Sequence, residues 1–395
     1  MEFKTATLDE LCDVKIGRTP PRNQHQWFNS GMESDWRWVS IKDMGLCGKF
    51  INSTSETITD EAKEKFNYAA VDDGTILLSF KLTVGRVAIT VGKMVTNEAI
   101  AQLPIKNESI VDRDYLYYYL KNYQWDNIGS TSSIATAVNS KTIKSLKIKF
   151  PDLETQQKIV RVLSALDSKI ELNNKICVTL EKQAKIIFKN WFIDFEPFKN
   201  DGFIETDLGM IPKGWRVMPL GEIFDFRRGI ALTKNDVSIK RNKDHPFVVY
   251  GAGRDVFGYS KKYTLSTPSV LIAAIGAGAG TVSRSCEEKY SVTSNAFYVL
   301  PKNEFDYPYE IFSLRNYNFK DRCSGSAQPM LSYSAFSEDR CIYPSSNILK
   351  KFHDVCSPMI KKIDKLIEQN NALSSIRDTL LPKLMNGEIN LERVL

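Results

Sequence analysis

The chain has 395 residues, too many for one ordinary core, so two or more domains are expected. An apolar content of 43% and a charged content of 25% exclude a disordered or fibrous chain, and the lack of any apolar run of about eighteen residues excludes a membrane-spanning helix. A formal net charge of +6 leans towards a polyanionic partner without establishing one.

The chain starts MEFKTATLDEL, with an early acid and no apolar h-region, and predicts no secretory signal. The cysteines are Cys12, Cys47, Cys177, Cys286, Cys323, Cys341 and Cys356. They are odd in number, widely spaced and free of any C-x-x-C pair, which argues against a zinc ribbon or redox dithiol. Such scattered thiols suit a reducing cytoplasm. His25, His245 and His353 have no second ligand at metal spacing.

Residues 1–150 read as a mixed α+β domain. Residues 75–80 form a short apolar run typical of a buried strand. The tyrosines at 115, 117, 118, 119 and 123 lie on a predicted helix, and their pattern fits a buried face better than a base-stacking platform. Leu146, Ile148 and Phe150 alternate with Lys147 and Lys149, a half-exposed strand ending at Pro151. Lys141, Lys144, Lys147 and Lys149 make a basic stripe that fits a solvated face at least as well as a phosphate track.

Residues 151–193 predict one long helix. Asp152 can cap its first turn, and no Pro or Gly interrupts it. Ile159, Leu163, Leu166, Ile170, Asn173, Cys177, Leu180, Ala184, Ile187 and Trp191 alternate four and three apart, the a/d seam of a coiled coil. Residues 194–215, rich in Gly, Pro and Asp, read as a linker.

Residues 216–344 predict a second α+β domain. A strand at 270–274 leads into IGAGAGTV. This string superficially suggests a dinucleotide loop, but more strand residues follow where a helix is required, so a turn between strands is expected. Residues 345–395 predict a second long helix and a C-terminal segment. Its seam is Cys356, Ile360, Ile363, Ile367, Asn370, Ser374, Arg377, Leu381 and Leu384. A kink or stop is expected at Pro382, and Asn386-Gly387 should close the helix.

The second half repeats the first in order. LDELCDVKIGR matches LGEIFDFRRGI, TILLSFKLTVGRVAI matches SVLIAAIGAGAGTVS, Asn97 matches Asn295, DRDYLYYYLKNY matches DYPYEIFSLRNY, and DSKIELNNKI matches DKLIEQNNAL. So long a period means domain duplication rather than a solenoid. Neither seam can be buried by its own helix, so the two helices are expected to pair antiparallel, with Asn173 and Asn370 near the pseudo-twofold fixing their register. The competing reading is two separate surface helices with solvated asparagines. A forty-residue helix spans roughly 60 Å, enough to hold two globular domains apart.

The order domain, helix, linker, domain, helix resembles the specificity (S) subunit of type I restriction-modification systems. So do the phrases FPDLETQQKIVRVLSALDSKI, IIFKNWFIDFEPF, LGMIPKGWRVMPLGEI and IRDTLLPKLMNGEI. The resemblance spans essentially the whole chain, although the second helix lacks the QQKI phrase of the first. It implies two target-recognition domains, 1–150 and 216–344, each reading one half of a split, asymmetric site on double-stranded DNA. It also implies spacer helices that set the gap and dock two DNA methyltransferase (modification) subunits, joined by restriction motor-nuclease subunits. S-adenosylmethionine, ATP and Mg are then expected on those partners and none on this chain, which is expected to be non-catalytic and cytoplasmic. The sequence agrees in lacking N-P-P-F, D-P-P-Y and P-loop strings.

Base reading needs Arg for guanine and Asn or Gln for adenine, and phosphate anchoring needs Lys, Arg, Ser or Thr. Candidates on predicted loops are Arg18, Thr19, Arg22, Lys42, Lys81 and Arg86 in the first domain. In the second they are Arg228, Lys234, Tyr250, Arg254 and Arg284. The polar turns at 130–136 and 324–328 are weaker candidates. The alternative function is a coiled-coil protein-interaction scaffold without intrinsic DNA sequence specificity. Sequence-specific DNA retention by the assembled complex separates the two.

Overall fold

A computed structural model describes residues 2–29, 31, 35–125, 139–233, 235–252 and 256–389. The chain forms two compact units. One comprises Met1–Glu171 with Asn371–Leu395, the other Leu172–Asn370. Each unit therefore holds one α+β domain and a stretch of both long helices.

In the first unit the central strand Ile76–Ser79 lies between Ile100–Leu103 and Val87–Thr90, with Lys15–Ile16 and Phe50–Ile51 outermost. Its four residues are all buried, which explains why it reads as an unbroken apolar run. A smaller sheet joins Glu56–Ile58, Trp36–Val39 and Val95–Thr96. The first strand, Lys4–Thr7, pairs antiparallel with Lys147–Phe150, so the two ends of the domain clasp each other. In that last strand Lys147 and Lys149 are exposed while Ile148 and Phe150 are buried, as the alternation requires.

The second unit repeats this plan. Arg216–Pro219 clasps Arg340–Tyr343. The strand Val270–Ala273 lies between Ala296–Leu300 and Val282–Arg284, with Asp225–Arg228 outermost. The registers correspond. Ile76 pairs with Leu103 and Ile89; Val270 pairs with Val299 and Arg284. One landmark shifts on this basis. Phe80 N–H donates to Ala99 O and Ala274 N–H to Asn295 O, so Ala99, not Asn97, is the counterpart of Asn295. A shared residue type had suggested the wrong register, which strand pairing decides. The glycine-rich string forms a turn between Val270–Ala273 and Val282–Arg284, with Gly276 and Gly280 at positive φ.

The helices Arg113–Asn122 and Asp306–Asn316 pack on these sheets. Tyr115, Tyr117 and Tyr118 are fully buried, so the tyrosine run is core. Tyr115 donates its hydroxyl to Lys149 O at 3.0 Å, and its counterpart Tyr309 donates to Ile342 O at 2.8 Å. A phenol thus satisfies the clasp strand in both copies.

The first long helix spans Leu153–Phe192 and the second Ser346–Met385. Asp152 caps the first by accepting Thr155 N–H at 2.9 Å. Within the second unit the helices run antiparallel: Asn173 meets Asn370, Cys177 meets Ile363, and Phe188 meets Phe352. Within the first, Ile159 and Leu163 share a core with Leu381, Leu384 and Met385. The seam drifts from its heptad reading. Phe188 and Phe192 are buried where Ile187 and Trp191 are half-buried, and Leu366 replaces Ile367. A helix of 3.6 residues per turn slides past a 3.5 repeat, and the sheet domain covers the adjoining face.

The second helix does not stop at Pro382. It continues to Met385 because Leu381, Leu384 and Met385 are buried, and because Asp378, whose carbonyl loses its N–H partner, lies on an exposed face. Gly387, at φ 72°, then ends it: Glu388 N–H donates to Lys383 O and Gly387 N–H to Leu384 O. No helix among the described residues is long and apolar enough to cross a membrane.

Candidate nucleic-acid interface

In the first unit the strand Lys15–Ile16 leads directly into Arg18. A Cβ at Gly17 would lie 2.1 Å from Thr96 O, so only glycine lets the chain pass this close. Arg18 Nη1 donates to Phe66 O at 2.8 Å, and Trp38 Nε1 donates to Arg18 O at 3.1 Å. Arg22 forks onto Glu56 at 2.7 and 3.0 Å. Its guanidinium lies over Trp38 and Phe28, 4.6 and 4.7 Å from the ring centres. Thr19 donates its hydroxyl to Glu98. The fold therefore brings Arg18, Thr19 and Arg22 together around Trp38. The bond to Glu56 fixes the plane of the Arg22 guanidinium but occupies both terminal nitrogens, so contact with a guanine edge or a phosphate requires that pair to exchange.

A second group lies at the short helix Ile41–Leu46. Arg86 Nη1 donates to Ile41 O at 2.6 Å and packs so tightly on Gly45 that a Cβ there would be 2.3 Å away. Lys42, on the same helix, is exposed. Lys81 is exposed on the hairpin leading to Arg86, its ammonium 5.5 Å from the Phe80 ring centre.

In the second unit the same edge is built around Gly229, where a Cβ would lie 2.2 Å from Thr293 O. Arg228 Nε donates to Ser294 O at 2.5 Å and lies 4.7 Å over Phe297. Tyr250 O accepts Thr293 N–H at 2.8 Å, and its hydroxyl accepts Cys286 N–H at 3.0 Å. Arg228 and Tyr250 thus flank one turn. Burial pushes the Tyr250 phenol up, so it remains a neutral donor. Arg284 stands apart: its side chain is 9% exposed and paired with Asp364 of the second long helix, so its charge is committed inside the unit. Lys234, Arg254 and the turn at 130–136 lie outside the described residues. At 324–328, Ser324 and Met330 exchange both backbone hydrogen bonds at 2.9 and 2.8 Å, making the polar turn a hairpin tip.

Asn173 and Asn370 meet in the helix pair. Asn173 Nδ2 donates to Asn370 Oδ1 at 2.8 Å and to Gln369 Oε1 at 2.9 Å, while Asn370 Nδ2 donates to Asn174 Oδ1 at 2.8 Å.

Sequence reasoning missed three groups. Lys49, beneath Tyr117 and Tyr118, pairs with Asp114. Burial raises that carboxyl, but bonds to Lys49 and Arg113 outweigh it and hold Asp114 below its ordinary range. Arg37 Nη1 donates to Asn52 O at 2.6 Å. Leu82 stands exposed at a hairpin tip. Among the described residues no group of three His, Cys, Asp or Glu side chains is placed to hold a metal ion.

A family model for the type I restriction modification DNA specificity domain matches residues 1–182 and 212–374. The type I restriction enzyme MjaIX specificity subunit of Methanocaldococcus jannaschii is 29% identical over all of this chain and 95% of its own length. The HindI specificity subunit of Haemophilus influenzae is 26% identical over 66% of this chain and 72% of its own. A type I restriction-modification S subunit from Mycoplasma genitalium has the same fold, with a TM-score of 0.60, 19% identity and coverage of 97% and 96%.

Proposed function

The chain belongs to the type I restriction-modification DNA specificity family, and from that premise we propose that it reads a bipartite, asymmetric target on double-stranded DNA, one half with each α+β domain. The observation that carries this reading is the duplication itself. Two copies of one strand register present different side chains at the same edge: Arg18, Thr19 and Arg22 beside Gly17, and Arg228 with Tyr250 beside Gly229. Unlike readers on one framework suit unlike half-sites. Lys42, Lys81 and Arg86 anchor phosphates, Lys234 and Arg254 serve the second domain, and Arg284 orders its own domain instead of touching DNA. Binding then combines a salt-dependent phosphate contribution with base readout.

In the same proposal the long helices set the gap between half-sites and dock two methyltransferase subunits, with restriction subunits completing the complex. Asn173 and Asn370 fix helix register, because a sliding seam would bury them without partners. S-adenosylmethionine, ATP and Mg belong to the partners, and this chain performs no catalytic step.

The test is to co-express the chain with its methyltransferase subunit and map adenine methylation across a genome. A split motif with two unlike halves and a constant gap is expected, and exchanging residues 1–150 should change one half alone. A complex that forms but methylates no split motif refutes the reading and favours the scaffold.

A further inference from the structure

Two separate physical rules disfavour the leucine on the hairpin between Ile76–Ser79 and Val87–Thr90. Leu82 is 95% exposed, and its φ is +62°, a left-handed conformation in which Cβ crowds the carbonyl. Exposure alone is ordinary; Ile239 is 92% exposed without any such backbone. Both costs together are not, and a glycine would remove them. The second unit makes that choice: the third residue after its equivalent strand is Gly276, at φ +91°.

The tip cannot relax, because the hairpin beneath it is locked. The Ser79 hydroxyl donates to Thr83 O at 2.6 Å and accepts Arg86 N–H at 2.9 Å, and Gly85 N–H donates to Ser79 O at 2.9 Å. A Cβ on Gly85 would lie 2.3 Å from the Trp125 indole, and Val84 packs on the core. Strained residues persist where their surroundings over-determine them, and they cluster at functional positions. From Gly74 to Asn97 the sequence has no Asp or Glu, and the tip itself, between Ser79 and Val87, carries Lys81 and Arg86. An apolar tip on an acid-free, cationic base complements stacked bases between phosphates better than it does an apolar protein groove.

We propose that Leu82 is a wedge that enters between adjacent base pairs in the half-target read by the first unit, with Lys81 on a flanking phosphate. The proposal rests on the DNA-reading function above and adds a one-sided distortion, since the second unit has glycine at this place. The opened step should be one that unstacks readily, such as pyrimidine–purine.

The test uses the complete chain assembled with its methyltransferase subunit, and duplexes of the mapped target carrying 2-aminopurine one position at a time, away from the methylated adenine. Fluorescence should rise at one step of the first half-target. Leu82→Ala and Leu82→Gly should abolish the rise and weaken binding roughly tenfold, whereas Leu82→Phe should keep both. Leu82→Gly should also raise the melting temperature of the free chain, which separates lost wedging from lost folding. Unchanged fluorescence and affinity with specific binding intact would refute the wedge and leave the reading function standing. Loss of the methyltransferase subunit on Leu82→Ala would make Leu82 a protein contact and refute it equally. If the unaltered complex binds no sequence specifically, the reading function itself has failed, and the wedge with it.

Discussion

The two units keep the same helix aspartate in different company. Asp167 accepts the Tyr118 hydroxyl at 2.6 Å and Arg377 Nη1, from the second long helix, at 2.8 Å. Its repeat counterpart, Asp364, is paired with Arg284 from a strand of the sheet. The exchange is traceable residue by residue. Phe312 stands where Tyr118 stands and has no hydroxyl to give; Arg284 stands where the first unit buries Ile89. A part-buried carboxylate must have a donor, but the fold does not care which element supplies it. The functional consequence is asymmetric. The first domain holds the helix pair through a neutral phenol while a helix arginine carries the charge. The second holds it through a charge in its own sheet. A foreign domain inserted at 216–344 must therefore bring its own donor for Asp364.

The comparison breaks first at Arg284. Arg284→Ile copies the first unit's residue but leaves Asp364 part-buried and unpaired, which should cost about 3 kcal/mol. Thermal and urea unfolding of the full chain measure it. Adding Phe312→Tyr imports the other unit's donor and should recover part of the loss. If Arg284→Ile costs no more than a surface substitution, the ion pair anchors nothing and the contrast between the units is superficial.

A second difference lies at Glu310, which occupies the place of the buried Leu116. It is 1% exposed, and one of its oxygens lacks a partner among the described residues. Burial, then the nearby Asp306 and Asp225, push its carboxyl up to about 8 from an ordinary 4.5. The folded state therefore holds this proton more tightly than the unfolded chain does. The stability that the group contributes is complete below about pH 4.5 and is lost as pH rises through about 8. Glu310→Leu should raise stability at pH 8 by about 2 kcal/mol, with little or no gain at pH 5. An equal gain at both pH values would show that Glu310 is charged throughout and make packing, not ionisation, the difference between the units.

The sequence displayed the parts that follow a period. Both long helices, the duplication and the buried tyrosines rest on spacing that survives folding. The glycine string could be recognised as a turn because strand residues, not a helix, follow it. The stop expected as one outcome at Pro382 does not occur: its local penalty is visible in the sequence, while the burial of Leu381, Leu384 and Met385 that carries the helix past it is tertiary. Arg284 misled for a related reason. A charge beside a glycine-rich turn reads as surface, and nothing local reveals an aspartate 80 residues away. Arg18, Thr19 and Arg22 could be named from loop chemistry, but their gathering around Trp38 depends on the small sheet Glu56–Ile58, Trp36–Val39, Val95–Thr96. Strands of two to four residues carry too little period to be read in advance. Leu82 gave no signal, since the backbone angle that singles it out is not a property of composition.

The smallest effect is the most discriminating. Tyr118→Phe gives the first unit the second unit's residue at that position, removing one hydrogen bond to a charged group. Asp167 keeps Arg377, with both side chains about one-sixth exposed, so the carboxylate is left under-bonded but not unpaired. The expected cost is about 1 kcal/mol, well below that of Arg284→Ile, and unfolding of the full chain reads both. That order follows from the arrangement of donors: Asp167 has two on separate elements, and losing one leaves the other, whereas Asp364 depends on Arg284 for its charge pairing. If Tyr118→Phe proves the costlier change, the phenol rather than the arginine carries the first domain's hold on the helices. Duplication would then have moved the anchor from a hydroxyl to an ion pair, not merely exchanged one charge partner for another.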